Sequence, residues 1–179
     1  YESMSGVAPT VIGNAALWSM MATPFVIRAI GKRNLLIAVN TINAINSLGL
    51  VKLLFAGIYD MAKELDLNSE KYALWEDIIT NLSDFPTFIK KGKKCFRYSK
   101  FGIRWRNDNT VGLQHIYPAS QIGLSSDEKL LKIARNTYFI NDRRLDDNGS
   151  NSYLPAGARI GVDPDFLIEG IHQNIKEFA

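Results

Sequence analysis

One cysteine and two histidines are all that this 179-residue chain offers toward disulfide or soft-metal chemistry. Cys95, standing alone, excludes an internal disulfide and every multi-cysteine metal framework. His115 and His172 are far apart, and neither stands in an HxxxH, HxH or HExxH spacing, so no metal site is expected. A Gly-rich phosphate cradle ahead of a helix is also missing, and no organic cofactor is implied. There is no low-complexity tract and no repeated segment. Acidic charge is absent from one end: no carboxylate occurs from Ser3 to Tyr59, and no charge of either sign from Ser3 to Ile27. Val11 to Ile30 has about the length of a membrane span, but Asn14, Ser19, Thr23 and Pro24 interrupt it. A buried core helix over Asn14 to Ile30, kinked near Pro24, is expected instead, and no membrane partner. The chain opens Tyr-Glu-Ser without the basic leader of a signal peptide, and this abrupt start reads as that of a fragment.

What is present is a chain with the apolar and charged fractions of a globular protein, long enough for a single domain over 1–179 with a real core. Helical periodicity dominates. Leu50, Leu53, Leu54, Ile58, Met61 and Leu65 give one apolar face to a helix over Leu48 to Leu65. Asn68 or Ser69 can cap the next helix, which carries Leu74, Ile78 and Leu82, and the two read as an antiparallel helical hairpin. Phe96 and Tyr98, then Ile103 and Trp105, alternate with polar residues on either side of Gly102, which predicts a small β-hairpin. Ser125 to Glu128 forms a capping box for a helix with Leu130, Leu131, Ala134 and Tyr138. Asp142 to Pro155 reads as polar loop. Asp163-Pro164 then opens a last helix with Leu167, Ile171, Ile175 and Phe178 as its stripe. The fold class is all-α with a minor β element.

The densest chemistry lies between Gly102 and Gly123, GIRWRNDNTVGLQHIYPASQIG. Polar and aromatic loops between apolar helices are where folded domains keep binding groups. Flat aromatic faces stack on a sugar ring, while amides, carboxylates and imidazoles bond its hydroxyls. Trp105 and Tyr117 are the candidate stacking residues, with Asn107, Asp108, Asn109 and His115 as the polar groups facing a sugar. Asp108 is the one carboxylate in the loop and so the only acid-base candidate. Inverting hydrolysis needs two, roughly 6.5–9.5 Å apart. Cys95, on a strand beside Phe96, reads as a structural thiol. A different chemistry is carried by Lys90 to Arg106, which holds eight Lys or Arg and no acid, interleaved with Phe96, Tyr98, Phe101 and Trp105. Cations with stacking aromatics suit single-stranded nucleic acid, though the same pattern arises on any solvated hairpin.

The order of three segments resembles glycoside hydrolase family 95, which contains α-L-fucosidases and α-L-galactosidases. They are INSLGLVKLLFAGIYDMAKELDLNSEKYALWEDIITNLSDFP, CFRYSKFGIRW and LQHIYPASQIGLSSDEKLLKIARNTY. GNAALWSMMATPFV looks more weakly like another helix of the same catalytic domain. The resemblance spans Ile42 to Tyr138 and implies part of an (α/α)6 six-hairpin toroid. It also implies an extracellular or periplasmic address, an oligosaccharide or polysaccharide partner and an inverting two-group acid/base mechanism on α-L-fucosyl or galactosyl glycans. Where that family has a histidine-rich motif before the Tyr-Pro turn, this chain has Asn107, Asp108 and Asn109. The family's general-acid glutamate has no counterpart ahead of Leu48. The expectation is therefore a carbohydrate-active protein, with a non-catalytic glycan-binding homologue and a nucleic-acid binder acting through residues 90–106 as the alternatives.

Overall fold

The computed structural model describes residues 45–100, 103–105, 110–145 and 150–178. The helix expected over Asn14 to Ile30 lies outside them. The described chain is mostly helical, with one small antiparallel two-stranded sheet. Its elements are α1 (Ile45–Glu64), α2 (Tyr72–Asn81), β1 (Thr87–Lys90), β2 (Lys93–Phe96), α3 (Glu128–Asn141), α4 (Ser150–Arg159) and α5 (Pro164–Phe178). Contacts gather the described residues into two units: residues 54–83, and residues 45–53 together with 84–178. Helix α1 runs from one into the other.

Residues 54–83 hold the end of α1 and all of α2, the two helices that periodicity predicts, and Tyr72 ties the start of the second to the first. Its hydroxyl donates to the Ala62 carbonyl at 2.7 Å, and its ring meets Tyr59 edge-on at 5.9 Å. The expected cap is replaced. Asn68 takes a left-handed conformation (φ 54°) with no side-chain cap bond, and a single 3₁₀ turn over Ser69–Lys71 leads into α2. The buried face of α1 also differs from the expected one. Leu48, Phe55 and Ala62, seven residues apart, are buried, while Leu53, Met61 and Leu65 are exposed. Seven residues are two helical turns, so these three share a stripe. A helix that is apolar on most sides offers more than one such stripe, and spacing alone does not choose between them.

In residues 84–178 the regular hairpin comes one step earlier than expected. β1 and β2 pair with Phe88 opposite Cys95 and Lys90 opposite Lys93. The two residues between them, Lys91 (φ 49°) and Gly92 (φ 72°), are both left-handed. That is the backbone of a two-residue hairpin turn, in which glycine takes positive φ without steric cost. Of the pairing expected on either side of Gly102, two bonds are present, Tyr98 N–H donating to the Arg104 carbonyl and Ser99 N–H to that of Ile103; Gly102 itself lies outside the described residues.

Helix α3 begins at Asp127 rather than through a box from Ser125. The Asp127 carboxylate accepts from Leu130 N–H at 3.0 Å, and Ser126 Oγ accepts from Gly123 N–H in the preceding turn. Asp127→Ala is expected to cost about 1 kcal/mol of stability, read by urea denaturation. Helix α4 occupies residues expected to be loop. Pro155 and Gly157 look like breakers, yet Tyr153, Ala156 and Ile160 are fully buried at helical spacing. Tyr153 stacks on Tyr138 of α3 at 4.0 Å and donates its hydroxyl to the Tyr138 carbonyl. Core burial outweighs the local penalty of proline and glycine. The last helix starts as expected, with Asp163 Oδ1 accepting from the N–H groups of Asp165 and Phe166. Of the expected stripe, Leu167 packs on the core beside Phe166, whereas Ile171 and Ile175 are exposed, as is Ile168.

Candidate functional site

Residues 110–122 form an irregular loop folded onto itself. Leu113, Ile116, Ala119 and Ile122 recur every third residue and all four are fully buried. That period belongs neither to an α-helix nor to a strand; it matches a chain winding in tight turns, of which Val111–Leu113 is a 3₁₀ example. The backbone bonds close the loop: Ile116 and Tyr117 N–H both donate to the Leu113 carbonyl, Ala119 N–H to that of Gln114, and Gln121 N–H to that of His115. The Tyr117–Pro118 peptide is cis. Every-third burial is the signal that sequence inspection passed over.

His115 is the pivot of this loop. Expected among the groups facing a sugar, it is fully buried, with Phe96 edge-on at 4.6 Å and Phe85 at 4.9 Å. Among the described residues neither ring nitrogen has a hydrogen-bond partner. Burial alone pulls its pKa from 6.5 down to about 3, so the ring is neutral at ordinary pH. Behind it passes α1 at close range: a Cβ on Gly49 would lie 2.8 Å from both Cα and Cβ of His115. Lys52, one turn on, holds its ammonium 5.6 Å over the Phe85 ring, and burial lowers its pKa, with Asp84 acting in the opposite sense. The imidazole is thus a core residue that fixes the loop, and the loop in turn fixes Tyr117, whose ring is partly exposed.

Trp105 is held elsewhere, against the hairpin. Its ring lies 6.0 Å from Phe88 and under the Lys90 ammonium at 4.8 Å, a cation–π arrangement that covers part of one face. Asn107, Asp108 and Asn109 lie outside the described residues. Cys95 is fully buried, and burial raises its thiol pKa, which makes it a poor nucleophile. The described residues contain no cluster of three His, Cys, Asp or Glu able to hold a metal, and no helix long and apolar enough to cross a membrane. The sequence reading also missed Lys129 and Lys132 on α3, which the fold brings beside Lys93 and Lys94 of the hairpin. They are three apart, on one helix face, but nothing local points to the strand they meet. No known protein family, curated protein or solved structure matches the chain.

Proposed function

We propose that the chain is part of an (α/α)6 toroid of a carbohydrate-active protein, and that it binds an α-L-fucosyl or galactosyl glycan through the loop region 105–117. The observation that carries the reading is the 110–122 loop. Four apolar anchors and a buried imidazole hold an irregular segment in place, and Tyr117 is the large aromatic it presents outward. An ordered loop with an exposed ring is suited to stacking on the apolar face of a sugar. Asp108 supplies the acid-base group of an inverting mechanism, with Asn107 and Asn109 bonding hydroxyls beside it. His115 serves as a positioning residue for Tyr117. The exposed Ile168, Ile171 and Ile175 of α5 offer the kind of apolar face that a neighbouring helix of a toroid covers.

Titration calorimetry with fucosylated and galactosylated oligosaccharides, followed by assay of their hydrolysis, tests this. Tyr117→Ala and Trp105→Ala are expected to weaken binding about tenfold each. Asp108→Asn is expected to leave binding intact and lower turnover by roughly a hundredfold or more. Absence of binding to every such glycan would overturn the reading. Binding without turnover in the wild-type protein would make it the non-catalytic homologue, a reading favoured by the lack of any carboxylate from Ser3 to Tyr59.

A further inference from the structure

A basic groove lies between the hairpin and α3. Lys93 and Lys94 enter it from β2, Lys129 and Lys132 from the first turns of α3, and Ile133 and Asn136 line it beside them, enclosing about 590 Å³. Two bonds fix its walls to each other. Asn136 Nδ2 donates to the Lys94 carbonyl at 3.0 Å, and Phe96 N–H donates to Thr137 Oγ1 at 2.8 Å. The backbone positions from which the four lysines project are therefore set by the packing of α3 on β2.

The charge in this groove is uncompensated. All four lysines are exposed, and among the described residues none of their ammonium groups forms an ion pair or hydrogen bond. The acid nearest in sequence, Glu128, is taken by Arg135 at 3.0 Å. Lys93 also stands directly opposite Lys90 in the hairpin register, and like charges facing across a ladder oppose pairing. Such an arrangement is relieved by an anion that bridges the two elements.

We infer that this groove binds the anionic substituents of an acidic glycan, sulfate esters or uronate carboxylates; the inference rests on the glycan reading of the protein given above. The groove's lining contains no aromatic side chain. Single-stranded nucleic acid gains much of its affinity from bases stacked on rings, which these walls do not offer. A glycan needs only its charged groups held, with rings stacked elsewhere. Lysine ammonium groups act as point charges that suit sulfate and carboxylate without demanding one planar geometry.

The test is calorimetric binding of four probes: a sulfated fucan oligosaccharide, its desulfated form, an oligouronate and a single-stranded DNA oligomer. The sulfated fucan, the oligouronate or both are expected to bind about tenfold more tightly than the desulfated sugar at low salt, and to lose that advantage at high salt. The double variant K94Q/K132Q should abolish the advantage and leave affinity for the desulfated sugar unchanged. Far-UV circular dichroism of the variant should match wild type, because both side chains are solvent-facing. Equal binding of charged and desulfated sugars would overturn the groove and leave the glycan reading standing. Tighter binding of DNA than of either acidic glycan would overturn both in favour of a nucleic-acid partner. Binding of neither sugar class would do the same without one.

Discussion

An alanine at Gly49 is expected to destabilise the protein by about 2 kcal/mol, although the same change in an open helix stabilises by up to ~1 kcal/mol. Gly49 lies inside α1, where glycine has no conformational use. Its value is the space it leaves. The added methyl would sit 2.8 Å from Cα and Cβ of His115 and 3.2 Å from Cβ of Ala119, and the first of these is backbone that cannot rotate away. Relief would require moving the loop that carries Tyr117. The paired control is Gly57→Ala in the same helix, where nothing lies within 4 Å of the new Cβ. That variant is expected to gain about 0.5–1 kcal/mol through helix propensity alone. Opposite signs for two glycine-to-alanine changes eight residues apart, read by urea melts, would identify close approach as the cause. Equal signs would refute it.

Acid is expected to weaken the fold through His115. A group whose folded pKa lies below its unfolded value binds fewer protons when native. Here the native ring titrates at about 3 and the unfolded one at 6.5. Between those values the unfolded chain holds the extra proton, so stability rises with pH across that window. The contribution is fully present above pH 6.5 and is lost as pH falls toward 3. Its size is on the order of a few kcal/mol. His115→Leu should flatten that slope. It replaces the imidazole by a side chain of similar size and removes two buried nitrogens that lack partners among the described residues, so stability at pH 7 should hold or increase. The pH dependence of the urea midpoint measures both effects. An unchanged acid slope in the variant would show that His115 is not the titrating group. Glycan binding by the same variant separates support from contact: a positioning residue replaced at equal volume should leave affinity largely intact.

Local rules carried the reading of the fold a long way. Helix α3 and the last helix were legible because their start signals lie within a few consecutive residues: Asp163 caps as its position implies, and the α3 cap falls at Asp127, inside the expected Ser125–Glu128 segment. The hairpin was displaced because aromatic alternation after Cys95 drew more notice than Lys91-Gly92, the pair that turns. Helix α4 was illegible because its support is not local. Pro155 and Gly157 argue against a helix until Tyr138 is there to stack on Tyr153 and to need the room that Gly157 leaves; a Cβ at Gly157 would meet the Tyr138 hydroxyl at 2.6 Å.

The candidate site divides along the same line. Residue types between Gly102 and Gly123 marked the segment as chemically dense, and spacing excluded a cysteine framework and offered no histidine metal motif, because those depend only on what the chain contains and in what order. Whether a side chain faces solvent depends on what packs behind it. His115 and Tyr117 are two residues apart in the same loop, yet the Phe85–Phe96 clamp and the bare face of Gly49 bury the one and leave the other partly exposed. The four lysines of the groove belong to segments more than thirty residues apart, and their meeting follows from the packing of α3 on β2. Sequence alone determined the helical character and the inventory of reactive groups, since both follow from local preference and composition. Tertiary packing decided which of those groups are sealed, which are exposed and which stand together, because burial and proximity are properties of distant residues in contact.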